Sequence, residues 1–252
     1  MAEGRSKRTA FVTGASYGVG AATALALARD GYDVAVSATR IGNLDDTVHR
    51  LRAAGAHVLP LVLDLRSHEN IGQAMTSVLG AFGQLDLLVN NAGTNLRKLA
   101  VDVTPAEWDE MLAANVTGTF FLTQAAGRHF IARGQGGGVV TVASTHAFVG
   151  APERSTYGIA KAALVQMTRM LAIEWAAHDI RVNAVAPGRM ETTSPSRAAK
   201  GADPEYMAAM LARIPLHRLC TAEEVAAAVV YLAGAASVTG QVLALDGGLT
   251  AA

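Results

Sequence analysis

Thr13-Gly14-Ala15-Ser16-Tyr17-Gly18-Val19-Gly20 is the stretch whose reading decides the fold of this chain. The apolar run 9–13 before the glycines fits a buried strand. The alanine-rich run 21–30 after them fits a helix, with Gly31 as its stop. A strand that passes through glycines directly into a helix opens a βαβ unit. Glycines there let the backbone turn tightly and approach a ligand closely. The helix N-terminus behind them offers free N–H groups and a positive dipole end to a pyrophosphate. A plain βα turn would carry the same glycines, so the rest of the chain has to separate the two readings.

Outward from this turn the alternation continues. Short apolar runs at 34–36, 58–63, 85–89, 139–143, 181–186 and 241–245 read as strands. Helical patterns lie between them at 44–54, 71–79, 115–126 and from Tyr157 to Ala177. Two capping boxes, Thr104-Pro105-Ala106-Glu107 and Thr221-Ala222-Glu223-Glu224, open further helices through Leu112 and to Ala233. The expectation is an α/β protein: one Rossmann-type domain over residues 1–252, a doubly wound parallel sheet of about seven strands with helices on both faces. Residues 1–8 are read as a frayed polar tail. Residues 189–213 are read as a substrate-loop region, either a mobile lid or a long surface loop.

Composition narrows the function. Of 252 residues 51% are hydrophobic, enough to bury a substantial core. Lys plus Arg number 21 and Asp plus Glu 21, so no global basic field speaks for nucleic acid or an anionic membrane. The only cysteine is Cys220, which rules out an intrachain disulfide and a cysteine-cluster metal site. No apolar run suits a signal core or a bilayer span. A soluble cytoplasmic protein without a metal is expected.

Ligands in open parallel sheets bind outside the carboxyl ends of the strands. Near the end of the second strand, about twenty positions beyond the glycines, an acidic residue would accept hydrogen bonds from the ribose of NAD. This chain has Ser37-Ala38-Thr39-Arg40 instead. Arg40 can hold a 2′-phosphate bidentately, with Ser37 and Thr39 adding hydroxyls, so NADP(H) is favoured over NAD(H). The competing reading makes Arg40 an ordinary exposed loop residue. Asp64 and Leu65 close the third strand, where Asp64 can accept from an adenine amino group. Asn91, Ala92 and Gly93 close the fourth, lining a ribose or bracing the central strands.

In Ser155-Thr156-Tyr157-Gly158-Ile159-Ala160-Lys161, Tyr157 and Lys161 share one helix face. The ammonium favours phenolate and lowers the tyrosine pKa, which suits proton exchange with a carbonyl or alcohol. An isolated pair of this kind would be a packed ring beside a solvated ammonium.

Together these residues resemble the short-chain dehydrogenase/reductase family. The resemblance runs from Thr13 to Gly248. It rests on the glycine turn at 13–20, Asn90-Asn91-Ala92-Gly93, Asn115, Ser144, Tyr157 with Lys161, Asn183, Pro187-Gly188, Val238-Thr239-Gly240-Gln241 and Asp246-Gly247-Gly248. It implies hydride transfer between C4 of a nicotinamide and a ketone or secondary alcohol. Tyr157 is then general acid and base, and Lys161 lowers its pKa and binds the nicotinamide ribose. Ser144 holds the substrate oxygen, and Asn115 holds a water that relays protons from Lys161. Pro187, Gly188 and Thr192 match the stretch that grips the carboxamide. Gly14, Ser16, Tyr17, Gly18, Val19 and Gly20 would cradle the cofactor. The family's helices that hold Asn115 and Tyr157 pair across subunits, so a homo-oligomer is expected, a tetramer or a dimer; Phe120, Phe121 and Trp175 would suit such a face or the internal core.

Two departures qualify the resemblance. Tyr17 stands where many NADP-dependent members carry Arg or Lys, which leaves Arg40 as the chief support for NADP(H). Ile173 stands where reductases acting on carrier-bound acyl groups often have a basic residue, although Arg128 and Arg133 remain nearby. A 3-oxoacyl-(acyl-carrier-protein) reductase is the alternative within the class. A catalytically silent nucleotide sensor is the alternative outside it. Thr94, Asn95, His146, Arg154, Arg189 and Met190 are the expected substrate residues. His146 and Arg154 would meet a carboxylate or a polyhydroxylated substrate, or else pack on the loop and face solvent.

Overall fold

The computed structural model describes residues 7–190 and 204–251. Seven strands form one fully parallel sheet in the order β3–β2–β1–β4–β5–β6–β7. They are β1 (Thr9–Val12), β2 (Asp33–Ala38), β3 (Val58–Val62), β4 (Leu87–Asn90), β5 (Gly137–Val142), β6 (Ile180–Pro187) and β7 (Val242–Leu245). The helices are α1 (Gly18–Arg29), α2 (Asp45–Ala53), α3 (His68–Phe82), α4 (Pro105–Leu112), α5 (Gly118–Arg133), α6 (Ser155–Trp175), α7 (Pro204–Leu211) and α8 (Ala222–Gly234).

Strand alternation sends side chains to a large core on each face, and a smaller cluster of Ala143, Val165, Ala184 and Ala186 lies beside them. Ala10 and Val12 meet Leu27 of α1, Leu51 of α2 and Leu232 of α8 on one face. Phe11 between them joins Val78 of α3, Phe130 of α5 and Leu171 of α6 on the other. A sheet covered on both faces needs apolar residues at every strand position, which is why these strands read as continuous apolar runs. The order in which strands are added reverses between β1 and β4, the point at which parallel sheets of this kind open a crevice outside the carboxyl ends of their strands.

Several boundaries depart from the sequence reading. Helix α1 begins at Gly18, earlier than the alanine run suggested. Strand β5 begins at Gly137, two residues before the apolar run 139–143. A Cβ on Gly137 would stand 2.5 Å from the Phe130 ring, so glycine is there to admit α5 against the strand. The two helices expected on either side of Leu112 are joined through a π-helical turn, Ala113–Thr117, which contains Asn115. Part of the expected loop region 189–213 is helix α7.

Candidate active site

The glycine turn is welded to the end of β4 by Thr13. Its hydroxyl accepts from the backbone N–H groups of Asn91 and Ala92, both at 3.0 Å, and donates to the Val89 carbonyl at 3.3 Å. The Asn91 amide donates back to the carbonyls of Thr13 and Gly14 at 3.0 and 2.9 Å. Close packing dictates the glycines. Gly14 has φ +64°, and a Cβ there would lie 2.8 Å from the Ala92 Cα. A Cβ on Gly20 would lie 2.3 Å from the Gly14 carbonyl oxygen.

Helices α3, α4 and α8 receive side-chain caps from Ser67, Thr104 and Thr221. Helix α1 has Tyr17 at its N-cap and no side-chain cap. Its first N–H groups thus meet the glycine turn without a side-chain acceptor, as a pyrophosphate site requires. Ser16, Tyr17 and Gly18 also line a cavity of about 390 Å³ between α1, α2 and the start of α8, whose other walls include Arg50, Thr221 and the acids Asp46 and Glu223. The glycine turn and the uncapped start of α1, not that cavity, fit the diphosphate end of a dinucleotide.

Beyond the turn the placements differ. Thr39 and Arg40 are exposed, whereas Ser37 is buried within β2 and its hydroxyl makes no hydrogen bond. Asp64 is held by its near neighbour: Oδ1 accepts from Arg66 Nε at 2.9 Å and Oδ2 from Nη2 at 2.8 Å. Those bonds hold the Asp64 carboxyl below its ordinary pKa. Leu65 is buried in the second core, and Val19 packs on the first. Gly188 at the end of β6 donates its N–H to Leu245, and a Cβ there would stand 2.8 Å from the Asp246 Cα. Met190 packs on the first core and bridges to Cys220, while Arg189 accepts from the Cys220 N–H. Thr192 lies outside the described residues.

At the other side of the crevice, Lys161 is buried on α6 and donates to the Val142 carbonyl at 2.7 Å. Burial alone pushes its pKa down to about 8. Its Nζ lies 5.7 Å from the centroid of the Tyr157 ring. Ser144, at the exit of β5, accepts from the His146 N–H at 3.2 Å. His146 presents its ring edge-on to Tyr157, with centroids 6.0 Å apart. The structure thus brings Ser144, His146, Tyr157 and Lys161 to one place: a hydroxyl, an imidazole, a phenol and a buried ammonium.

Asn115 is buried in the π turn, and its amide clamps one peptide of the loop after β4. Oδ1 accepts from Thr94 N at 2.7 Å, and Nδ2 donates to Thr94 O at 2.9 Å. Met111 Sδ takes the second N–H at 2.8 Å. The clamp explains Gly93, where a Cβ would lie 2.9 Å from Asn115 Oδ1. Thr13, Met111 and the Val142 carbonyl were assigned no role from the sequence. Only Thr13 had a signal there, as the first residue of the glycine turn. Among the described residues no group of His, Cys, Asp and Glu suits a metal ion, and no helix is long and apolar enough to cross a membrane.

Comparison with known proteins finds relatives over nearly the whole chain. The family model described as enoyl-(acyl carrier protein) reductase matches residues 14–250. The 2-dehydro-3-deoxy-D-gluconate 5-dehydrogenase of Escherichia coli is 37% identical over 243 residues, 96% of this chain and 94% of that protein. A short-chain type dehydrogenase/reductase from Mycobacterium marinum superposes with TM-score 0.91 at 33% identity, over 97% of this chain and 96% of that one. A provisionally assigned 2-deoxy-D-gluconate 3-dehydrogenase from Agrobacterium tumefaciens, solved with bound NADP, gives TM-score 0.89 at 38% identity over 97% of each chain.

Proposed function

The chain belongs to the short-chain dehydrogenase/reductase family, and on that premise we propose that it is an NADP(H)-preferring oxidoreductase in which Tyr157 exchanges the proton with a ketone or secondary alcohol. The bound nicotinamide supplies or accepts hydride at its C4. Tyr157 gives its phenolic proton to the carbonyl oxygen in reduction and takes it back in oxidation. Ser144 donates to the same oxygen as charge develops on it. Lys161, charged at neutral pH, favours the phenolate and binds the nicotinamide ribose. Asn115 fixes the loop wall through Thr94 and carries the water of the proton relay. Pro187, Gly188 and Thr192 receive the carboxamide.

The observation that carries this reading is the buried Lys161 ammonium beside the Tyr157 ring. The NADP(H) preference is supported by exposed Arg40 and Thr39, by the absence of an acid at the end of β2, and by the NADP-bound relative. A cytoplasmic setting and a homotetramer belong to the same proposal. The carrier-protein alternative loses support from Arg133, whose guanidinium is engaged by Asp86 at 2.7 Å and Gly136 O at 2.9 Å.

The test is oxidation of NADPH and NADH by the purified protein over a panel of ketones, keto-sugars, keto acids and 3-oxoacyl thioesters. Turnover with NADPH, weakened at least tenfold in KM by Arg40→Ala, is expected. Turnover with NADH alone would overturn the cofactor preference, and tight nucleotide binding without turnover on any carbonyl would favour a sensor.

A further inference from the structure

We infer that Thr47 of α2 is a positioning residue for the nucleotide: its hydroxyl fixes the Ala15–Ser16 peptide of the glycine turn so that the Ser16 N–H faces the diphosphate; the inference rests on the nucleotide-dependent reading above and deepens it. Thr47 is the third residue of α2 and is buried. Its hydroxyl donates to the Ala15 carbonyl at 2.8 Å, across 32 residues of chain. Threonines inside helices ordinarily spend their hydroxyls on their own helix. Thr76 on α3, Thr123 on α5 and Thr168 on α6 do so, each donating to the carbonyl four residues back at 2.7–2.9 Å. Thr47 reaches out of its helix instead. Ala15 is fully buried, so without that hydroxyl its carbonyl would be left unpaired away from solvent.

Thr13, Gly14 and Ala15 are successive residues in a turn suited to two negative phosphates. All three of their carbonyls accept from the protein: Thr13 and Gly14 from the Asn91 amide at 3.0 and 2.9 Å, and Ala15 from Thr47. Lone pairs that would repel phosphate are thereby engaged within the fold. Ala15 is also held from its other side, where its N–H donates to the Ser37 carbonyl of β2 at 2.9 Å.

In a planar trans peptide the carbonyl and the N–H that follows it point in opposite directions. Fixing the Ala15 oxygen toward α2 therefore fixes the Ser16 N–H away from α2. No described residue accepts from that N–H. It directly precedes Tyr17 and the uncapped start of α1. Successive backbone N–H groups oriented in this way hold phosphate. A rotation of the one peptide would exchange a donor for a lone pair at the diphosphate, so the direction of the Ala15 carbonyl governs affinity.

The experiment reads binding by calorimetry and needs no turnover. NADPH, NADH and ADP-ribose are titrated into wild type, Thr47→Val, Thr47→Ala and Thr47→Ser, each at a temperature where its melt shows it fully folded. All three ligands carry the diphosphate, and ADP-ribose lacks the nicotinamide. Thr47→Val and Thr47→Ala are expected to weaken all three by about fivefold or more, the scale of one buried hydrogen bond. Thr47→Ser keeps the donor and is expected to stay near wild type. In steady-state kinetics the loss falls on KM for the nucleotide more than on kcat. Unchanged affinity in the variants without the hydroxyl, a loss confined to NADPH, or a serine variant as weak as the alanine one would overturn the inference. So would failure of both hydroxyl-free variants to fold while Thr47→Ser folds, since the hydroxyl would then serve the fold alone. Hydroxyl-dependent binding of all three ligands without turnover of any carbonyl would keep the inference and overturn the hydride-transfer reading instead.

Discussion

Lys161 concentrates the physical tension of the site in one side chain. Its ordinary pKa of 10.5 falls to about 8 because α6 buries it. Between those two pH values the unfolded chain binds more protons than the folded one, so stability rises with pH across that window. Below pH 8 the cost of burying the ammonium is present in full, about 3 kcal/mol for a shift of this size. Lys161→Met is accordingly predicted to be more stable than wild type at pH 7, with the gap closing toward pH 10. Urea denaturation of both proteins at several pH values checks this; a gap independent of pH would contradict it. At this scale the chemistry was legible, since Tyr157, Lys161 and Ser144 announce themselves by type and spacing. The partners were not. Nothing in sequence shows that Ser37 turns inward or that Arg66 takes the Asp64 carboxylate, because both depend on local backbone direction.

Among the elements, the glycine turn and the π turn do the positioning. The turn holds only because Gly14 accepts φ +64° within van der Waals reach of Ala92. Gly14→Ala is predicted to weaken NADPH binding at least tenfold and to cost about 1–3 kcal/mol of stability. A fluorescence titration and a thermal melt would read both, and a fully retained affinity would show that the turn does not touch the cofactor. The βαβ order was legible because strand runs, helix runs and glycines alternate without ambiguity. The π turn was not, since its extra residue leaves no mark in hydrophobic periodicity, yet it is what lets Asn115 reach Thr94. Helix α7 had signals in Pro204 and in the run Met207, Ala208, Ala209, Met210, but the polar stretch before it hid them.

Over the whole molecule, the cores account for the apolar strands and for Phe121 and Trp175, which pack inward on the second of them. They leave Phe120, Ile159, Met170 and Ile173 exposed on α5 and α6, with Ile173 at 81%. Burying them against a second copy is the economical outcome for an apolar surface of this kind. Light scattering of the purified protein is predicted to give a multiple of the 26.0 kDa chain, and Ile173→Glu to shift it toward the monomer. A monomeric wild type at working concentration would contradict the assembly.

The proposed mechanism turns on one phenolic proton of Tyr157. The direct measurement is single-turnover hydride transfer by Tyr157→Phe, with nucleotide and substrate binding measured on the same preparation. Unchanged nucleotide affinity is expected, with a rate lower by about 10²–10⁴, the range for loss of a general acid–base. A variant that binds nucleotide and turns over as fast as wild type would contradict it.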